Sequence, residues 1–222
     1  MVDIERFRAQ FESFPSRYMR EFDEFWKWKL RVENRHRHIL QDVYREETGD
    51  RLCRVLRGWQ TYRPYGLREE TFRDSLERIS DAYDGVRDYS LLELDRIPDE
   101  PLRLIWHELG RVKEEHGNKN DLGNYSVVAV CKPLMLVWGQ TLAFDSRTRS
   151  HIPSEYCAPV EHCGLKHASR WPFVAWRSVM TGFQKDLSED SKAVAYFRGL
   201  SSRKYGTCSV VPYGRFLDIY YF

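Results

Sequence analysis

Apolar and aromatic residues recur at helical spacing along most of this chain. Ile4, Phe7, Phe11 and Phe14 fall on one helical face, and Pro15 breaks or restarts the helix. Tyr18, Phe22, Phe25, Trp26 and Leu30 continue such a face. The pattern runs on through Ile39 and Val43, and Gly49-Asp50 ends it. Leu52, Val55, Leu56 and Trp59 form a shorter face ahead of the turn chemistry of Tyr62-Arg63-Pro64-Tyr65-Gly66. Leu67 to Tyr83 reads as a helix. Ser90 is placed to cap a short helix that follows, and Pro98 and Pro101 flank the start of another over Leu102 to Glu115. Trp171-Pro172 restarts a helix through Phe183, and Ser191 to Leu200 is the next. The aromatic tail over 205–222 docks on the core as a helix or an extended segment. Sustained alternation of period two is missing. The expected class is therefore mostly α, a single-domain multi-helix bundle over 1–222 with an N-terminal half (1–115) and a second half (116–222).

One stretch departs from the amphipathic pattern. Between Gly117 and Ile152 a polar, Gly-rich loop leads into an apolar run that holds a single charge, Lys132. An unpaired buried ammonium is costly. Asp145, a little farther along and leading into the basic Ser146-Arg147-Thr148-Arg149-Ser150-His151, is a candidate partner. Pro133 constrains the helix that carries the lysine. Either one helix from about Ser126 kinks at Pro133, or a new helix starts near Lys132. The second arrangement places the amine at the positive end of the helix dipole, which disfavours its protonated form.

Composition adds limits. Hydrophobic residues make up 42% and charged residues 31%, as in a globular protein with a full core. The net charge of +2 names no partner, but its distribution is uneven. Acidic residues concentrate before position 115, and 147–170 and 198–204 lean basic, which suits one face for an anionic ligand. Five scattered cysteines and a charged N-terminus read as reduced thiols in a cytoplasmic protein. No run reaches the length of a membrane span. Arg35-His36-Arg37-His38 reads as a solvated helix face.

A lysine of lowered pKa is a nucleophile, and an aspartate facing the same cavity stabilises a cation that develops beside it. Together they suit displacement at a sugar carbon with capture as a Schiff base. An ordinary Lys–Asp ion pair explains the same residues. The loop GNKNDLGNYS, Lys132, the helix PLMLVW and then FDSR at 144–147 resemble the helix-hairpin-helix superfamily of DNA glycosylases, in particular the 8-oxoguanine DNA glycosylases. There a catalytic lysine follows a Gly-containing hairpin, and a loop after the next helix carries an essential aspartate. The resemblance covers about forty residues. It departs where this chain has Val128-Ala129-Val130-Cys131 in place of the Gly-rich end of the hairpin, in the shorter Lys-to-Asp spacing, and at Pro133.

The resemblance implies a glycosylase with Lys132 as Schiff-base nucleophile and Asp145 stabilising the sugar cation, with AP-lyase activity following. It implies DNA as partner and no cofactor or metal, in a protein acting as a monomer in DNA repair or against modified phage DNA. Arg147, with Arg149, Asn124 and Ser126, would contact DNA. Trp138, Gln140 and Trp171 would form the base pocket, among other aromatic and basic residues such as His151, Arg170, Trp176 and Arg177. Core packing is an equally available role for each tryptophan. Cys157, His162, Cys163 and His167 are potential zinc ligands, but their spacing matches no common zinc-finger pattern. The rival readings are a binding module of the same fold that does not cleave, and a protein-interaction domain using the charged N-terminal helices.

Overall fold

The computed structural model describes residues 2–33, 36–63, 66–114, 124–157, 168–206 and 210–222. Helices dominate. They are α1 (Ile4–Ser13), α2 (Ser16–Val32), α3 (Asp42–Gly58), α4 (Glu69–Arg78), α5 (Ser80–Val86), α6 (Asp99–Glu114), α7 (Val127–Trp138), α8 (Ser146–Ser150), α9 (Phe173–Glu189), α10 (Ser191–Tyr205) and α11 (Tyr213–Tyr221). Short 3-10 turns lie at Leu91–Arg96 and Ser154–Cys157. Among the described residues, the strands are Tyr125–Ser126 and Arg170–Trp171, paired antiparallel. The mostly α class expected from the spacing is what the chain adopts.

The centre of the fold is α7. Of its residues only Val128 and Lys132 are not fully buried, as expected of a helix that is apolar all round. It is packed on by α2, α3 and α6, while α1 and α8 both meet α11. A helix this enclosed draws on about 1.5–3 kcal/mol for each large side chain removed from water. It ends at Gly139, which sits at φ 76 and caps through its N–H to Met135 O at 2.9 Å. A Cβ at Gly139 would lie 2.8 Å from Trp26 Cζ3, so both the backbone sign and the close approach call for glycine.

Several boundaries differ from the periodic reading. The helix drawn through Ile39 and Val43 is two helices, with α2 ending at Val32 and α3 beginning at Asp42. Ile39 and Leu40 are buried by a turn instead. Thr48 Oγ1 donates to Ile39 O, and Ser80 Oγ donates to Leu40 O at 2.9 Å, while Val43 is 84% exposed. Gly49 lies inside α3, where the Arg73 side chain approaches it at 3.1 Å from an added Cβ, so it marks a close approach and not a helix stop. The helix over Leu67 to Tyr83 is broken at Ile79 into α4 and α5. His38, placed by its charge run on a solvated face, is buried and accepts from Leu40 N at 3.3 Å.

Not every helical glycine is under such constraint. Gly85, exposed in α5, has nothing within 4 Å of an added Cβ. Gly85→Ala is expected to stabilise the protein by about 0.5–1 kcal/mol through helix propensity. A shift of the denaturation midpoint to higher denaturant checks it.

Candidate functional site

Lys132 is on the sixth residue of α7, in mid-helix, and Pro133 is inside the same helix. Of the two arrangements, the helix beginning at about Ser126 and running past Pro133 is the one adopted, and a helix start at Lys132 is corrected. A proline in a helix interior deprives the carbonyl four residues back of its donor. Here that carbonyl is Ala129 O, and the buried Tyr62 hydroxyl donates to it at 3.2 Å. A side chain from another part of the chain makes the bond that the proline cannot, and α7 continues. The dipole argument for a neutral amine lapses with the helix start.

Burial replaces it. Lys132 is half-buried, and desolvation pushes its amine pKa down. Asp145 and Asp218 oppose the shift, and Arg215 adds to it. The Nζ points to Trp59 O at 3.5 Å and lies 5.9 Å from the Trp59 ring centroid. Trp59 is in turn held by its indole N–H, which donates to Glu21 Oε2 at 2.6 Å.

Asp145 stands at the start of α8. Its Oδ1 accepts from Arg147 N at 2.9 Å and Thr148 N at 3.0 Å, the arrangement of an N-cap. Among the described residues two that are not glycine have positive φ, Gln60 at 53° and Phe144 at 51°. One directly follows Trp59, which holds the lysine. The other directly precedes Asp145. Such conformations cost about 1–3 kcal/mol and persist only where surrounding structure enforces them. Arg149 Nη1 enforces one of them by donating to Phe144 O at 2.7 Å.

Lys132 and Asp145 line one cavity of about 370 Å³. Its apolar walls are Phe14, Tyr18, Trp59, Met135 and Phe222, and Arg215 and Asp218 of α11 complete it. Arg147 is at the exposed rim, with its guanidinium 5.0 Å from the Phe222 ring centroid. Arg215 and Asp218 are 2% and 3% exposed, and burial pushes the Asp218 carboxyl up against the pull of Arg215.

The other residues singled out from the sequence do not line this cavity. Trp138, Gln140 and Trp171 are core. Trp138 Nε1 donates to Tyr89 O at 3.1 Å, and Trp171 packs on Phe144 at 5.0 Å between centroids. Gln140 accepts from Leu91 N at 2.7 Å and donates to Val211 O at 2.9 Å, so its amide is committed to tying three segments together. The base-pocket assignment of these three is corrected accordingly. Arg149 is turned inward at 7% exposure, which removes it from the DNA-contact set. Ser126 is buried within the two-stranded sheet, paired with Arg170, and its hydroxyl accepts from Lys113 Nζ at 3.4 Å. Asn124 is half-buried and is not part of the cavity wall. The Gly-rich loop over 117–123 and His162, Cys163 and His167 lie outside the described residues, as does the side chain of Cys157.

Periodicity placed Phe14, Tyr18 and Trp59 on helix faces without tying them to the site, and Phe222, Arg215 and Asp218 fell within the aromatic tail with no role assigned. A signal for two of them was present. Arg215 and Asp218 are the charges in the aromatic run Tyr213 to Phe222, the same kind of anomaly that drew attention to Lys132.

The chain matches no family model, and no curated protein or solved structure is similar to it. No described helix is long and apolar enough to cross a membrane.

Proposed function

We propose that this protein is a DNA glycosylase that removes a damaged or modified base, with Lys132 as nucleophile and Asp145 as the carboxylate that stabilises the sugar cation. The observation that carries the reading is that two residues chosen by sequence, on different helices, line the same cavity. The half-buried amine has its pKa lowered by desolvation, which raises the neutral fraction available for attack. Asp145 commits Oδ1 to the helix cap, which fixes the orientation of the carboxylate beside the cavity. The aromatic walls offer an extruded base a stacking surface, and Arg147 at the rim suits a phosphate.

The amine forms a bond to the sugar C1′ as the C1′–N bond breaks and the base leaves with the electron pair. The amine proton passes to a carboxylate. That proton is returned to O4′ as the C1′–O4′ bond breaks and the nitrogen lone pair forms the C=N of the Schiff base, and β-elimination then takes the C2′ proton and breaks the C3′–O bond, which nicks the strand. No step calls on a cofactor, and one copy of the chain holds all the groups named.

Borohydride trapping tests this on DNA carrying oxidised guanine and on DNA carrying bulkier modified bases. A covalent adduct is expected with the native chain and none with Lys132→Gln. Asp145→Asn keeps a good N-cap, so the protein should stay folded while adduct formation slows by about 10²-fold or more. Absence of an adduct across the whole panel removes the lysine as nucleophile. Steep salt dependence of DNA binding without cleavage would then favour the binding module.

A further inference from the structure

One wall of the cavity is a buried ion pair. Arg215 Nη1 donates to Asp218 Oδ2 at 2.9 Å, and both side chains are almost fully enclosed. Such pairs seldom add stability over an apolar pair of the same size, because desolvation offsets their attraction. Their other contacts suggest a different use. Asp218 Oδ1 accepts from Ala143 N at 2.9 Å and from the Thr148 hydroxyl at 3.4 Å. These two residues bracket Asp145. Thr148 also gives its backbone N–H to Asp145 Oδ1, and the strained Phe144 lies between Ala143 and Asp145. A single carboxylate oxygen thus clamps both sides of the turn on which Asp145 stands. Arg215 reaches the opposite wall. Its Nη2 donates to Tyr18 O at 3.3 Å, and its guanidinium is 5.8 Å from the centroid of Trp59, the residue whose carbonyl faces Lys132.

We infer that the Arg215–Asp218 pair positions the reacting groups: Asp218 sets the direction of the Asp145 carboxylate, and Arg215 ties Asp218 to the side formed by Tyr18 and Trp59, whose carbonyl faces Lys132. The inference rests on Lys132 and Asp145 being the reacting pair. Neither Arg215 nor Asp218 is assigned a chemical step. The charged and titratable groups lining the cavity with Lys132 are Asp145 and Arg147 from the α8 end, Arg215 and Asp218 from α11, and Tyr18 from α2.

Two double variants separate positioning from packing. R215M/D218L replaces the pair with apolar side chains and removes the clamp. R215Q/D218N keeps an acceptor for Ala143 N and the Thr148 hydroxyl without the charges. Adduct formation in single turnover is expected to fall about 10²-fold in the first, the size of effect that a displacement of about 1 Å produces, and to fall less than about tenfold in the second. Thr148→Val removes one arm of the clamp with the ion pair intact, so it serves if the apolar variant does not fold. It should slow the reaction roughly tenfold, as the loss of one hydrogen bond does.

A second readout needs no DNA. Reductive methylation of Lys132 by formaldehyde and cyanoborohydride, followed against pH by peptide mass spectrometry, reports the amine directly. Its midpoint should fall in R215M/D218L, where Asp145 no longer faces the amine, and hold in R215Q/D218N. Native rates and midpoints in R215M/D218L and Thr148→Val would overturn the inference. If the native chain forms no adduct, the glycosylase reading fails, and the methylation midpoints still decide the clamp.

Discussion

Gly214→Ala is expected to destabilise the protein by about 3 kcal/mol, the upper end of what over-packing a core produces. Gly214 is in the first turn of α11, and a Cβ there would lie 2.5 Å from Thr141 O and closer still to Gln140 C and Thr141 N. All three are backbone atoms, so no side chain can swing aside. The 140–141 backbone is itself pinned. Gln140 bonds to Leu91 N and Val211 O, and the Thr141 hydroxyl accepts from Trp176 Nε1 at 3.1 Å. The added methyl therefore forces α11 outward, and α11 carries Arg215 and Asp218. Loss of stability and loss of the clamp on Asp145 should arrive together. Chemical denaturation checks the first and single-turnover trapping the second. A native midpoint for this variant would mean that α11 does not rest on the 140–141 backbone.

Tyr62→Phe is expected to cost about 2 kcal/mol, because it strands the buried Ala129 carbonyl without a donor. The ring stays, so the loss is confined to one hydroxyl. Pro133→Ala supplies the missing N–H from within α7. In that background the same Tyr62→Phe should cost markedly less, with a coupling of about 1–2 kcal/mol between the two sites. Four denaturation curves measure it. Equal costs of Tyr62→Phe in the two backgrounds would show that the hydroxyl does not stand in for the proline N–H. The cycle bears on the site as well, since Lys132 directly precedes Pro133. Its reach toward Trp59 and the cavity depends on α7 running through the proline.

How much of this was legible beforehand differs by residue. Phe7, Phe14, Phe22, Leu52 and Leu56 were placed on helix faces by spacing alone and are buried. Spacing misled where a turn mimicked a helical repeat, as at Ile39 and Leu40, and where a glycine reflected a neighbour's approach, as at Gly49. Lys132 and Asp145 stood out because a lone charge in an apolar run needs a reason, and both line the cavity. Trp138, Gln140 and Trp171 were chosen for their aromatic and polar character, as a stacking surface and a reader of an extruded base. Residue type alone does not separate that role from core packing, since aromatic side chains dominate cores.

By itself the sequence determined the helical class and two of the charged residues in the cavity, because helical period and the rarity of a charge in an apolar run are local properties. Tertiary structure alone decided that α7 passes through Pro133, since the compensating hydroxyl comes from Tyr62, far back in the chain. It also decided which residues share the cavity with the lysine and the aspartate. Trp59 comes from the end of α3 and the Arg215–Asp218 pair from α11, and Asp218 reaches Ala143 across 75 residues of sequence. Hydrogen bonds and ion pairs between distant segments leave no periodic trace, and they are what bring the site together.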